Sequence, residues 1–281
     1  MTIASATSPT DADSLVEDRL RDVGRVVRRM MLEAIPDAEP HDWLYRLARS
    51  YPSRTGKAIR PALCLATSSA FGGTEADTLP VAVAIELLHN AFLVHDDIVD
   101  GSERRRGRPT LPAEHGAALA LNVGDALAVL ANQLLRRHTR SLRDPVGDRV
   151  LAEFDTMALR TLEGQATELG WRRDAVARLT PEDYLDLIMH KTCWYTTIHP
   201  LRVGALIGSG GMADLRPLVR FGFYLGAAFQ IQDDLLNLVG DEARYGKEIN
   251  GDLYEGKRTL VLIHLIGHAR GPDRDTVQHY L

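Results

Sequence analysis

Cysteine is nearly absent from the 281 residues: Cys64 and Cys193 stand far apart, with no metal-ligand spacing. That excludes a disulfide framework and a thiolate metal site, and two buried, reduced thiols are expected. An excess of positive charge is lacking too. The formal net charge is −5, which argues against nucleic acid as a partner. Any polyanionic ligand must then meet cations placed locally against that field. No unbroken apolar run approaches the roughly 20 residues of a membrane helix, so no transmembrane segment is expected. The opening has no basic, apolar and small-residue leader, and residues 1–13 are small and polar. A disordered start over 1–13 and a soluble, cytoplasmic protein are the expectations.

Alternating strands are missing, whereas helical periodicity runs through most of the chain. It predicts helices over 13–34, 42–50, 59–71, 79–100, 113–140, 145–169, 181–207, 215–239 and 258–268. Thr180-Pro181-Glu182-Asp183 offers a capping hydroxyl, a first-turn proline and acids. Asp77-Thr78 before Pro80 is similar, and Gly72-Gly73, Gly170 and Gly208-Ser209-Gly210-Gly211 supply breaks. Several of these helices reach about 30 Å at 1.5 Å per residue. They carry Ala, Leu and Val, with Gly where helices can approach closely. The expected fold is all-α, one large bundle around a central cavity over 14–281.

Two acidic runs stand out. Asp96-Asp97-Ile98-Val99-Asp100 follows an apolar stretch and precedes Arg104-Arg105-Arg106-Gly107. Asp233-Asp234-Leu235-Leu236-Asn237 follows another, with Gly246-Lys247 and Gly256-Lys257 beyond it. On a helix i and i+4 share a face, so Asp96 projects with Asp100, and Asp233 with Asn237. Carboxylates in apolar surroundings are costly without compensating charge. Hard divalent cations holding a polyphosphate suit both halves of each run, and Mg²⁺ takes a few carboxylates plus water and phosphate oxygens. Alone, the first run also fits the polar end of an apolar helix. Its recurrence with lysines argues against that, and the calcium-loop pattern with its Gly and terminal Glu is missing.

On these motifs the chain resembles the trans-isoprenyl diphosphate synthases (polyprenyl synthetases) of geranylgeranyl/farnesyl type, from about Lys57 to Thr259. The resemblance implies an isoprenoid synthase-like helical bundle with a deep cavity, a homodimer, and condensation of isopentenyl diphosphate with an allylic diphosphate. It implies three Mg²⁺ per active site, replaceable by Mn²⁺, on Asp96, Asp100 and Asp233, with Asp97, Asp234 and Asn237 in support. Arg105, Lys191, Lys247 and Lys257 match groups that hold the allylic diphosphate. Thr192 and Gln230 match polar groups near the developing carbocation, and Gln165 and Glu168 sit behind the metal cluster. Gly56-Lys57-Ala58-Ile59-Arg60-Pro61 resembles the isopentenyl diphosphate motif, so Lys57, Arg60, Arg106 and His89 are assigned to that site. His89 also fits a core histidine, and Arg104 to Arg108 a solvated turn.

Phe92, one turn before Asp96, is a bulky plug of the kind that stops chain growth in the family, whereas Ala91 leaves room. With Asn237 and the Glu86-Leu87-Leu88-His89-Asn90 lead-in, a C20 product is favoured and C15 comes next. Two other readings are a terpene synthase on the same scaffold and a non-catalytic partner subunit. Lys57, Arg60 and His89 argue against a single-substrate cyclase, and the retained aspartates argue against a partner subunit. The sequence ends at Leu281, where the family continues with further helices, so a C-terminally shortened domain is expected.

Overall fold

The Thr74 hydroxyl accepts a hydrogen bond from the backbone N–H of Asp77 at 3.2 Å, and the helix it caps is the one the others surround. The computed structural model describes residues 11–240, 250–272 and 276. Its elements are α1 (Asp11–Ala34), a first π-helix (His41–Tyr45), α2 (Arg46–Ala48), α3 (Ile59–Ala70) and α4 (Glu75–Asp100). A short hairpin follows, β1 (Arg104–Arg105) with β2 (Arg108–Pro109), then α5 (Leu111–His115), α6 (Ala117–Thr139) and α7 (Val146–Arg173). The chain continues through α8 (Pro181–Ile188), a second π-helix (Met189–Ile198), α9 (His199–Gly208) and α10 (Arg216–Val239). Last come α11 (Gly251–Tyr254) and α12 (Leu260–His268). Among the described residues the fold is all-α apart from that hairpin.

Helix α4 packs against α1, α3, α5, α6 and α9. Val81, Ala82, Val83, Ala84, Ile85, Leu87 and Ala91 are all buried. A helix apolar all round belongs inside a bundle, and its small residues let five neighbours approach. By length and mean hydropathy (1.4 each), α4 and α6 are long and apolar enough to cross a membrane. This differs from the sequence expectation because isolated charges interrupt each run yet leave its average high. In α4 78% of that window is buried inside the fold, against 33% in α6. Cys64 and Cys193 are free and buried, as expected.

Several boundaries moved for local reasons. The leading segment expected to be disordered lies outside the described residues as far as residue 10, and α1 already starts at Asp11. The predicted 113–140 helix is split at Gly116, whose φ of +80° only glycine adopts readily. Gly170 does not stop α7, which runs on to Arg173. One internal glycine costs about 1 kcal/mol, and contacts of Glu168 and Arg172 on either side hold the turn. The 181–207 prediction resolves into α8, the second π-helix and α9. At its start Thr180 accepts from the Asp183 N–H at 3.2 Å while Asp183 accepts from the Thr180 N–H at 2.8 Å, a reciprocal cap.

His199 opens α9 fully buried, edge-on to Phe154 at 5.8 Å between ring centroids. Burial, then Arg202, pushes its imidazole down to about 3. The native state therefore keeps it neutral, while the unfolded chain binds a proton near pH 6.5. A depressed histidine supports the fold above pH 6.5 and withdraws that support as pH falls toward 3. Between pH 6.5 and 5 the loss should be about 2 kcal/mol. Urea unfolding at both pH values tests it: His199→Leu should lose most of that pH-dependent difference.

Candidate active site

A cavity of about 980 Å³ opens between α4, α7, the second π-helix and α10. Glycines permit the close packing of its walls. A Cβ on Gly164 of α7 would overlap the backbone of Lys191, and one on Gly226 of α10 would lie 2.8 Å from the Cys193 sulfur. The second π-helix is thus pressed between α7 and α10. Its i→i+5 bonding widens the turn, and Lys191, Thr192, Tyr195 and Thr196 all line the cavity.

One end of the cavity is lined by acids. Asp96 and Asp100 come from α4, Asp233 and Asp234 from α10, and Glu168 from α7, where the amide of Gln165 joins them. Lys257 reaches Asp100 at 3.2 Å and Asp252 at 3.4 Å and also pairs with Glu255. Arg172 meets the other oxygen of Asp100 at 3.0 Å, and Lys191 pairs with Glu168. Burial pulls the Asp100 carboxyl upward, but Lys257, Lys191 and Arg172 outweigh it and hold it below the usual carboxylate range. Asp96 is different: burial dominates and raises its carboxyl despite Lys191. On α10, Tyr184 donates to Asp234 at 2.6 Å and the Gln230 amide donates at 2.7 Å. Thr192 in turn donates to the Gln230 oxygen at 2.9 Å, so one relay fixes the amide's orientation. Burial still pushes Asp234 up to about 6.

The other end is cationic. Lys57, Arg60, Arg106 and His89 line it. Arg60 donates to the Thr196 hydroxyl at 2.9 Å. Arg106 and Gly107 turn the hairpin with φ of +52° and +75°, both left-handed, as a two-residue type I′ turn requires. An arginine is an unusual occupant of such a position, which costs about 1–2 kcal/mol. The turn brings the Arg106 guanidinium against Gly56, where a Cβ would stand 2.8 Å from its nitrogen.

Three expected site residues, Asp97, Asn237 and Ala91, are not brought to the cavity. Asp97 is fully buried and faces Arg105, whose Nε lies 2.7 and 2.9 Å from its two oxygens; the Tyr51 hydroxyl also donates to it. On a helix Asp97 stands about 100° from Asp96, so it meets the hairpin instead of the cavity. Asn237 is buried: its side-chain oxygen accepts from the Asp252 N–H at 3.2 Å and its backbone oxygen from the Asn250 N–H at 2.7 Å. It fastens the returning chain. Ala91 is buried in the core behind Phe92, which does line the cavity. Lys247 lies outside the described residues.

Sequence reasoning missed Tyr51, Tyr184, Asp252 and Arg172. Only Arg172 had a usable signal, since Gln165, Glu168 and Arg172 fall at i, i+3 and i+7 on one helix face. Among the described residues no three His, Cys, Asp or Glu side chains form a ready metal cage. The donor set still fits Mg²⁺, which keeps several waters and shares phosphate oxygens with one or two carboxylates. The half-buried Asp96 carboxyl, raised by desolvation and facing the cavity, is the place where such an ion fits.

The geometry agrees with the comparisons to known proteins. The polyprenyl synthetase family model matches residues 41–281. A short chain isoprenyl diphosphate synthase of Methanothermobacter thermautotrophicus is 34% identical over 260 residues, covering 92% of this chain and 78% of the relative. A geranylgeranyl diphosphate synthase of Sulfolobus acidocaldarius is 36% identical over 237 residues, covering 83% and 70%. The crystal structure of geranylgeranyl pyrophosphate synthetase from Pyrococcus horikoshii superposes with a TM-score of 0.86 at 32% identity, over 96% of this chain and 80% of that one. A bundle of this shape, with opposed aspartates and matched over most of its length, belongs to the polyprenyl synthetase family.

Proposed function

We propose that the chain is a prenyltransferase that condenses isopentenyl diphosphate with an allylic diphosphate to a trans-prenyl diphosphate, C20 first and C15 next. The observation that carries this reading is the two-ended cavity. An aspartate-lined end with interposed lysines suits a diphosphate held through metal ions. The cationic end of Lys57, Arg60 and Arg106 suits a second diphosphate held directly, for which guanidinium forks are apt. A cyclase acting on one substrate has no use for that second site.

Asp96, Asp100 and Asp233 would hold Mg²⁺, which when bound offsets charge building on the leaving diphosphate. Lys191, Lys257 and Arg105 then bind the oxygens of that diphosphate. The C1–O bond breaks, the electron pair leaves with pyrophosphate, and the double bond of isopentenyl diphosphate attacks the allylic carbon. Thr192 and Gln230, locked by Asp234, present oriented dipoles toward the cation, which need no reorganisation as charge develops. Pyrophosphate takes the proton lost from the condensed intermediate, so no side-chain base is required. The expected homodimer is supported by apolar residues that α6 and α7 leave exposed, among them Leu121, Val129 and Leu159.

The test is incubation with labelled isopentenyl diphosphate and each of the C5, C10 and C15 starters, followed by product sizing. Pyrophosphate release from the allylic substrate alone would contradict coupling. Phe92 should act as the plug, standing one turn below Asp96 on the cavity wall. Phe92→Ala is expected to lengthen the product by at least one five-carbon unit, read by chromatography of the dephosphorylated alcohols.

A further inference from the structure

The two halves of the cavity share a wall that neither motif contains. Tyr195, on the second π-helix, places its ring under the Arg60 guanidinium, with Cζ 4.3 Å from the ring centroid. The same ring meets Phe92 edge-on at 5.8 Å, near perpendicular at 86°, and His89 at 5.9 Å. The next residue, Thr196, accepts the hydrogen bond from Arg60 that fixes the guanidinium on the other side. Tyr195 itself lines the cavity. It therefore backs two groups with separate tasks: a cation of the diphosphate end and the plug of the prenyl end.

We infer that Tyr195 is a specificity-determining and positioning residue, one ring that both aims Arg60 at the isopentenyl diphosphate and braces Phe92 against the growing chain. This rests on the coupling reading above. A guanidinium over an aromatic face is attracted by the ring quadrupole and gives up less hydration than an ammonium would. An edge-to-face pair likewise prefers one geometry over a sliding contact. Removing the ring leaves Arg60 with the Thr196 hydrogen bond and the attraction of Glu86, and gives Phe92 room to swing toward the vacated space. Both tasks depend on the flat ring; neither contact uses the hydroxyl.

The experiment compares Tyr195→Leu, Tyr195→Met and Tyr195→Phe with the wild type, the methionine variant guarding against loss of fold in the leucine one. Tyr195→Leu and Tyr195→Met should raise KM for isopentenyl diphosphate about fivefold. They should shift products at least one five-carbon unit longer and leave KM for the allylic substrate within about twofold. Tyr195→Phe should behave as wild type on both counts. A purely structural role would move both KM values together with the melting temperature, and that overturns the inference. So does movement of KM without product length, of length without KM, or a phenylalanine variant that resembles leucine.

Calorimetric titration of isopentenyl diphosphate into wild type and Tyr195→Leu separates this inference from the function it rests on. Binding without turnover in the wild type sinks the coupling reading alone. Equal binding by the two proteins sinks the inference whatever the turnover, and no binding to either sinks both.

Discussion

Asp96→Asn is expected to cut turnover about a thousandfold while leaving the protein at least as stable as before. The two effects have opposite signs because the carboxylate is costly where it stands. Burial raises the Asp96 carboxyl, so a neutral isostere removes an unfavourable charge from the folded state. The same charge is what a divalent ion would require. Pyrophosphate release at saturating substrates reads the first effect and urea unfolding reads the second. Chelation of divalent ions should silence the wild type by a comparable factor and add little to the variant. An Asp96→Asn enzyme working within tenfold of wild type would remove this aspartate from the metal set.

Asp97 should behave in the contrary way, as a stability residue. Its carboxylate is buried against Arg105, which also lies 2.6 Å away through Nη2, and Tyr51 donates to it from the other side. Arg54 binds the carbonyls of Arg105 and Pro109 at 2.9 and 2.7 Å, so the whole hairpin hangs on this network. Removing one member of a buried pair strands the other, at about 3–5 kcal/mol. Asp97→Ala should therefore lose a large share of a stability that for a domain is about 5–15 kcal/mol. The double variant Asp97→Leu with Arg105→Met should recover most of the loss, since an apolar pair strands no charge. Denaturant midpoints decide it: a single variant as stable as wild type would show that the pair contributes nothing.

Neighbouring aspartates in one motif thus stand in different surroundings, and sequence spacing could not separate them. The period of the helix put Asp96 with Asp100, and both line the cavity. What Asp97 faces depends on the hairpin of residues 104–109, a feature too short to leave any alternation in sequence. The long helices were legible because apolar residues recur at helical spacing over many turns. Breaks were read less well: Gly116 interrupts a helix and Gly170 does not, and the difference lies in tertiary contacts of Glu168 and Arg172. The change to π-helix at Met189 was hidden for a related reason. It depends on two glycines of other helices, Gly164 and Gly226, that admit the widened turn between them. The motif acids and lysines were easier to find than their partners, since Tyr51, Tyr184 and Asp252 lie outside any motif.

Lys191 and Lys257 are already engaged before any substrate arrives, the first with Glu168 and the second with Asp100, Asp252 and Glu255. An arriving diphosphate would win them by swapping partners, and Asp100, set free at that moment, is one that an accompanying divalent ion would take. When pyrophosphate departs, the same acids stand ready to reclaim the lysines. On the proposed mechanism the resting protein would carry its own substitute for the leaving group, and resetting the site would need no outside anion.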